Sequence, residues 1–214
     1  MKHSDKKTEP TSFTHYKDKR VGKKHGRKLS YGHFKKQGPK KELTVHIMDE
    51  QKNLCCYCGR RISGENKSHL EHFFSQKHFK KLALDYSNMF ISCGLTGTGY
   101  TPETCGFHKK ELEIDANLIP SNRNCEGNFI YGSDGTITGL NPEAKAAIKI
   151  LNLGEATLAS DRKVVISGLE GMIASGEISK TNWQTELPKL CAASDGSEPG
   201  YVQVIRRYIE AEFS

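Results

Sequence analysis

The feature that most constrains how this chain folds is a divided set of four cysteines. Cys55 and Cys58 form a C-x-x-C pair, and Cys93 follows 35 residues after Cys58, with Cys105 beyond a further loop. Two residues between paired cysteines let both sulfurs approach one ion at about 2.3 Å, as a tetrahedral zinc site requires. The spacing therefore predicts a structural Zn²⁺ site that joins two stretches of chain far apart in sequence.

The rest of the composition favours metal binding over disulfides. The chain has seven cysteines, an odd number, and no long apolar run follows its charged first residues. The apolar stretches stop far short of the roughly 20 residues that span a membrane. We therefore expect a cytoplasmic protein without membrane contact, in which thiolates bind metal. Cys125 and Cys191 fit no pairing and are expected to pack. The alternative for the other four, buried thiols without a metal, stays open.

Positive charge is concentrated at the start of the chain. Residues 1–42 contain 14 Lys and Arg against four Asp and Glu, whereas residues 43–214 contain 18 against 21. With few large apolar residues to offset the entropy of ordering, this segment is expected to be a disordered or extended basic arm. Cations with Tyr16, Tyr31 and Phe34 between them are typical of contact with a nucleic-acid backbone. A solvated tail is the alternative.

The pattern of the remaining residues predicts an α+β fold. Phe129 to Thr138 has the features of a hairpin with Ser-Asp-Gly at its turn, and a helix should begin after Asn141 as N-cap with Pro142 at its first position. Further helices are expected over 44–52, 105–112, 155–174 and 201–209, and strand-like segments over 54–62, 69–74 and 85–92. Residues 94–104 are predicted to be a loop, and 195–200 a linker.

Polar residues that can bind metal or transfer protons lie between and beside the cysteines. They are His69, Glu71 and His72, then Asn88, and finally His108 three residues after Cys105. The whole ordered set resembles the HNH nucleases of the ββα-metal fold. The resemblance extends to the HNH subunit of retron-associated and Septu-type antiphage systems, through Leu54-Cys-Cys-Tyr-Cys-Gly-Arg-Arg-Ile, His-Leu-Glu-His-Phe, Ile91-Ser-Cys and Ile150-Leu-Asn-Leu.

The resemblance covers about residues 43–166 and implies three segments. These are the basic arm (1–42), a zinc-braced ββα-metal nuclease core (43–118), and a hairpin with a helical C-terminal region that docks a partner (119–214). The apolar faces over 148–153 and 201–209 are candidate docking surfaces, although use in the core of the protein itself is the alternative for each.

The resemblance also implies roles for single residues. His72 matches the general base, and a neutral imidazole near pH 7 suits that task. Glu71 and His108 match the ligands of a catalytic Mg²⁺ or Mn²⁺ ion. Asn88 matches the middle residue, which either orients the base or helps to hold the metal. Glutamate at position 71 departs from the more familiar aspartate or histidine and could move or weaken that ion.

Neighbouring residues have two interpretations each. Lys109, Lys110, Arg60 and Arg61 lie beside site residues and are predicted to hold nucleic-acid phosphates, although exposed cations are more often only solvated. His69 would share a strand face with Glu71 and either assist the metal or pack.

The function expected from the resemblance is a metal-dependent endonuclease that acts as the effector of an antiphage complex on DNA or RNA, transfer RNA included. Its expected partners are an ATPase of the ABC or SMC-like type and, in retron versions, a reverse transcriptase with its RNA–DNA product. A zinc-ribbon module that binds nucleic acid without catalysis, or a scaffold subunit, is the competing hypothesis.

Overall fold

A computed structural model describes residues 1–21, 30–63, 68–93, 103–192 and 197–214. Two predicted segments lie mostly outside the described residues: the basic stretch over 17–28 and the loop over 94–104. The predicted linker over 195–200 lies outside them in part. The described chain is mixed α+β, as predicted, with two separate antiparallel sheets of two strands each. Its helices are α1 (Thr11–Val21), α2 (Tyr31–Gln37), α3 (Lys40–Glu50), α4 (Cys105–Lys109), α5 (Pro142–Ile150), α6 (Ala156–Ala174), α7 (Trp183–Leu190) and α8 (Val202–Phe213), and its strands are β1 (Ser68–His72), β2 (Met89–Cys93), β3 (Phe129–Tyr131) and β4 (Ile137–Gly139).

The described N-terminal residues pack on the rest of the protein, with 1–10 outside any helix or strand and α1 and α2 helical, so the prediction of a disordered arm is wrong for them. Met1, Phe13 and Phe34 are fully buried, and the rings of Phe13 and Phe34 meet edge to face at 5.0 Å. The backbone N–H of Lys2 donates to the carbonyl of Cys56 at 3.0 Å. The few apolar residues of this segment suffice because α1 and α2 place them on one side, against α3.

The first sheet and α4 form the centre of the molecule. β1 and β2 pair antiparallel with Glu71 opposite Phe90, and α3 and α4 both contact β2. The predicted helix over 105–112 ends earlier, at Lys109, because Lys110 takes a positive φ of 51° that an α-helix does not allow.

The C-terminal half follows the sequence prediction except for α7, which is not among the predicted helices. The hairpin is formed by β3 and β4, and α5 begins as expected with the Asn141 side chain accepting the N–H of Ala144 at 2.8 Å. The faces proposed for docking are largely turned inward: Leu151, Leu153 and Ile209 are almost fully buried in the core. As docking surfaces these faces are therefore a wrong prediction, since the protein covers them itself.

Residues at the start of the last helix contact the turn that carries Cys55 and Cys58 (the cysteine turn). The amide of Gln203 donates to the carbonyl of Cys58 at 2.7 Å, and the N–H of Tyr201 donates to the carbonyl of Gly59 at 2.8 Å. Gly59 has a φ of +75°, and an added Cβ would lie 2.1 Å from Gln203 Oε1, so only glycine fits here. The C-terminal region is thus part of the support of the candidate metal site. Across the described ranges, no helix combines the length and the apolar character needed to cross a membrane.

Candidate metal centre and active-site cleft

Four cysteines lie close together where the cysteine turn, β2 and α4 meet, as the sequence predicts. The Sγ atoms of Cys55, Cys58, Cys93 and Cys105 all lie within 4.8 Å of one another, and all four side chains are buried. The sulfurs of Cys58 and Cys93 are 3.5 Å apart, and those of Cys93 and Cys105 are 3.7 Å apart. A tetrahedron with metal–sulfur distances of about 2.3 Å has edges of about 3.8 Å. The group therefore fits a tetrahedral ion such as zinc.

The surroundings of the four sulfurs favour negative charge at Cys55, whereas hydrogen bonds among the thiols and burial raise the pKa of Cys105 well above its usual value. The N–H of Cys93 points at Cys55 Sγ at 3.4 Å, and the N–H of Arg60 points at Cys58 Sγ at 3.5 Å. Burial opposes ionisation of Cys55, but hydrogen bonds from the other thiols, that of Cys105 first, hold its pKa well below the usual value. A thiolate is the form that binds metal. Cys125 is buried outside this group, as expected, whereas Cys191 is half-buried.

His72 ends β1 and is fixed in one tautomer. Its Nε2 lies 3.0 Å from the carbonyl oxygen of Ala83, which can only accept, so Nε2 carries the proton. Its Nδ1 then has the free lone pair and accepts from the amide of Gln76 at 3.1 Å. Burial lowers the pKa of His72, and the hydrogen bond to Ala83 offsets this only in part. The imidazole is therefore neutral near pH 7 and able to accept a proton at Nδ1.

A cleft opens beside this imidazole. It has a volume of about 320 Å³, and Glu71, His72, Gln76, Lys77 and Lys110 are among the residues that line it. Lys77 pairs with Glu111, and Lys110 pairs with Glu103 at 3.2 Å, all on exposed side chains. Exposed pairs of this kind contribute about 1 kcal/mol or less, so an anionic ligand can displace the carboxylates. The cleft thus combines a proton acceptor with two cations at its rim.

Asn88 holds the segment that orients His72. Its Oδ1 accepts the N–H of Phe74 at 2.7 Å, and its Nδ2 donates to the carbonyls of Phe74 at 3.0 Å and Leu82 at 3.1 Å. All of these bonds lie in the loop between His72 and Ala83, and Asn88 itself is buried. Of the two roles that the sequence leaves open for Asn88, this geometry favours positioning of the base.

Glu71 is held in a buried ion pair. Its Oε1 accepts from the Tyr57 hydroxyl at 3.0 Å and lies 3.2 Å from Lys109 Nζ, while its Oε2 lies 3.0 Å from His69 Nε2. Burial alone would raise the pKa of Glu71, but the hydrogen bond from His69 and the charge of Lys109 outweigh burial and hold that pKa below its usual value. Gly106 leaves room for this group, since a Cβ there would meet Glu71 Oε2 at 2.4 Å.

Glu71 and His108, the residues predicted to bind a catalytic Mg²⁺ or Mn²⁺ ion, already have hydrogen-bond partners within the protein. Both carboxylate oxygens of Glu71 already face internal donors, and His108 Nδ1 lies 2.9 Å from the carbonyl of Ile150 on α5. Among the described residues, the four cysteines form the one group of three or more His, Cys, Asp or Glu side chains spaced to hold a metal. An ion at Glu71 would have to compete with these donors, whereas the bond of His108 Nδ1 to a carbonyl leaves its Nε2 lone pair for a metal, so the shared ion stays a prediction.

The four residues predicted to contact phosphate differ in their exposure and in their partners. Lys109 is fully buried with Nζ donating to the carbonyl of His72 at 3.1 Å, so it cannot reach a phosphate, and that prediction is wrong. Arg60 donates to Asp161 at 2.6 Å and to Tyr201 at 3.2 Å, which ties the cysteine turn to α6 and α8.

The other two predicted contacts remain at the surface. Lys110 is exposed at the cleft, in the position expected of a phosphate contact. The guanidinium of Arg61 donates to the carbonyl of Glu198 on an exposed face. Sequence reasoning missed Gln76 and Ala83, of which only Gln76, four residues after His72, carries a side-chain signal that could have been read.

Replacing Lys109 with methionine should lower the free energy of unfolding by about 3–5 kcal/mol, because Glu71 would be left buried without its cation. Chemical denaturation measures this change. The neighbouring Lys110→Met is the matched control and should change stability by less than about 0.5 kcal/mol. The double variant Glu71→Gln/Lys109→Met should regain part of the loss; strictly additive effects would mean that the two side chains are not coupled.

Comparison with known proteins does not place the chain in a family: no protein-family model and no curated protein matches it.

Proposed function

We propose that this protein cleaves phosphodiester bonds in nucleic acid, as an endonuclease of the HNH type with His72 as its general base. The observation that carries the proposal is the state of His72, whose Nε2 proton is held by the Ala83 carbonyl while Nδ1 presents its lone pair beside a cleft rimmed with lysines. Both ring nitrogens are bonded, Nε2 to Ala83 and Nδ1 to Gln76, and the role requires a water in the cleft to displace the Gln76 amide.

The chain's residues account for the following steps. A phosphodiester enters the cleft and takes the place of the carboxylates paired with Lys77 and Lys110. A water that replaces the Gln76 amide gives its proton to His72 Nδ1 and attacks phosphorus. The phosphorus–oxygen bond on the far side breaks, and the leaving oxygen takes a proton from solvent. His72 returns its proton to solvent, and Asn88 keeps the loop with Ala83 in place throughout.

The four cysteines hold Zn²⁺ in this proposal. Its chemistry there is structural, because a site closed by four thiolates leaves no position open for substrate. It fixes the cysteine turn to β2 and α4, and therefore fixes β1 with His72 beside them. We assign no step to Mg²⁺ or Mn²⁺, because both carboxylate oxygens of Glu71 already face donors of the protein itself.

The biological setting proposed for this nuclease rests on the resemblance of its motifs. As in retron-associated and Septu-type systems, it would act as the effector of an antiphage complex with an ATPase of the ABC or SMC-like type, held inactive until phage is sensed. In a retron version the complex would include a reverse transcriptase and its RNA–DNA product.

The test is a cleavage assay with the purified full-length protein, alone and with any co-encoded ATPase. Duplex DNA, single-stranded DNA and total RNA are incubated with the protein in the presence of Mg²⁺, Mn²⁺ or neither. Cleavage of at least one substrate is expected, and the metal arms measure whether an added ion contributes. The contrary result is that no substrate is cut under any condition, including with the activated complex, while zinc stays bound. A non-catalytic zinc module would then explain the protein better.

A further inference from the structure

A second, larger cavity lies on the other side of the candidate base. It has a volume of about 660 Å³ and is lined by Ser30, Tyr31, Gly32, Gln76, Lys80, Lys81, Ala83 and Leu84. This volume falls within the range of about 300–1,000 Å³ that is usual for sites that bind small molecules. The cavity takes no part in the steps described for His72, which leaves open what it holds.

Its walls connect directly to His72. Gln76 lines both cavities and donates to His72 Nδ1, and the carbonyl of Ala83 holds His72 Nε2. The ring of Tyr31 meets the ring of His72 at 4.6 Å between centroids and an angle of 87°. A ligand in this cavity therefore lies beside Gln76 and Ala83, the two residues that bond the imidazole of His72.

The chemistry of the lining suits a nucleotide. Tyr31 lines the cavity with a partly buried ring that also packs on Phe34 and His72, and burial raises the pKa of its hydroxyl to about 12, so the ring stays neutral. Lys80 and Lys81 are exposed in a short 3₁₀ turn, Lys80–Leu82, and neither forms an ion pair with any described residue. An aromatic platform with cations beside it is the usual arrangement for binding single-stranded nucleic acid, where bases stack on the ring and the cations follow the backbone.

A cavity of this kind also favours unpaired nucleic acid over a duplex. A base within a duplex is paired and stacked on both sides, and it must leave the stack before it can enter a pocket. We propose that this cavity binds an unpaired nucleoside next to the scissile phosphate, so that the nuclease acts on single-stranded segments. The inference rests on the proposed function and adds a substrate class to it.

The test measures binding separately from cleavage. Full-length His72→Ala protein is titrated with a labelled single-stranded oligonucleotide of mixed sequence, as DNA and as RNA, and with a duplex of the same length. We expect the single strands to bind more tightly than the duplex, and the tighter of the two single strands identifies the sugar. Tyr31→Ala should weaken single-strand binding by about tenfold or more, the effect of losing one base–aromatic stack, whereas Tyr31→Phe should retain it.

The lysines provide a second readout that does not depend on the packing of Tyr31. Lys80→Gln/Lys81→Gln should reduce the slope of log affinity against log salt by about 1.4, which is about 0.7 for each lost phosphate contact on a single strand. Lys145→Gln/Lys149→Gln, two exposed lysines on α5, is the matched control and should leave the slope unchanged.

The outcomes separate this inference from the proposed function. Unchanged single-strand affinity in Tyr31→Ala together with an unchanged slope in the lysine variant, or equal binding of duplex and single strand, would overturn the pocket even if wild-type protein cleaves nucleic acid. Loss of affinity in both variants supports the pocket even if wild-type protein cleaves nothing, a result that would count against the nuclease alone. Zinc content and thermal melting of each variant establish that it is folded.

Discussion

Replacing Cys93 with serine should release the bound metal and abolish cooperative folding of the central sheet. Cys93 ends β2, and its Sγ lies 3.5 Å from that of Cys58 and 3.7 Å from that of Cys105. It therefore contacts a cysteine of the C-x-x-C pair and the cysteine at the start of α4. Structural zinc contributes on the order of 10 kcal/mol in small zinc-bound modules, which is comparable with the whole stability of a domain, about 5–15 kcal/mol. Metal analysis of the purified protein and thermal melting followed by circular dichroism measure both effects.

The matched control for this variant is Cys191→Ser. Cys191 is half-buried, just after α7 and outside the cluster, so its replacement should keep one zinc per chain and change the melting temperature little. A Cys93→Ser protein with unchanged melting, or wild-type protein purified without metal and equally stable, would show that the four thiols are packed residues with no metal role.

Replacing His72 with alanine should reduce the single-turnover cleavage rate by about 10²–10⁴-fold, the usual contribution of a positioned general base. Zinc content should change little, because His72 contributes no sulfur to the cluster, whereas the lost contacts with Ala83, Gln76 and Tyr31 should lower the stability. Since the imidazole must be neutral to accept a proton, the wild-type rate should fall with acid; burial lowers the pKa of His72, so the fall should come below the usual value of about 6.5. A profile whose acid limb lies well above pH 6.5 would contradict this assignment.

Some parts of the fold could be read from the sequence because their cause is local. The start of α5 follows from Asn141 and Pro142, whose capping and fixed φ act within one turn of helix. The β3–β4 hairpin follows from its Ser-Asp-Gly turn in the same way. The cysteine cluster could be predicted although it is not local, since ligand spacing is set by the geometry of the ion.

Other parts depend on contacts that a single sequence does not reveal. Glu71 and Lys109 are 38 positions apart, and nothing in their spacing shows that they form a buried pair, which keeps Lys109 from the phosphate contact predicted for it. The N-terminal segment was expected to be unfolded on composition, but folding depends on where Phe13 and Phe34 meet the core. The orientation of His72 is set by the backbone carbonyl of Ala83, and a backbone group has no sequence signal.

The central claim, that His72 Nδ1 is the proton acceptor of a nucleic-acid cleaving site, is tested most directly by chemical rescue. Wild type, His72→Ala and His72→Ala with added imidazole are compared on one substrate, at equal zinc content. We predict cleavage by wild type, almost none by the variant, and partial recovery when imidazole occupies the space left by the side chain. Equal cleavage by wild type and His72→Ala would contradict the account, because the reaction would then proceed without this base.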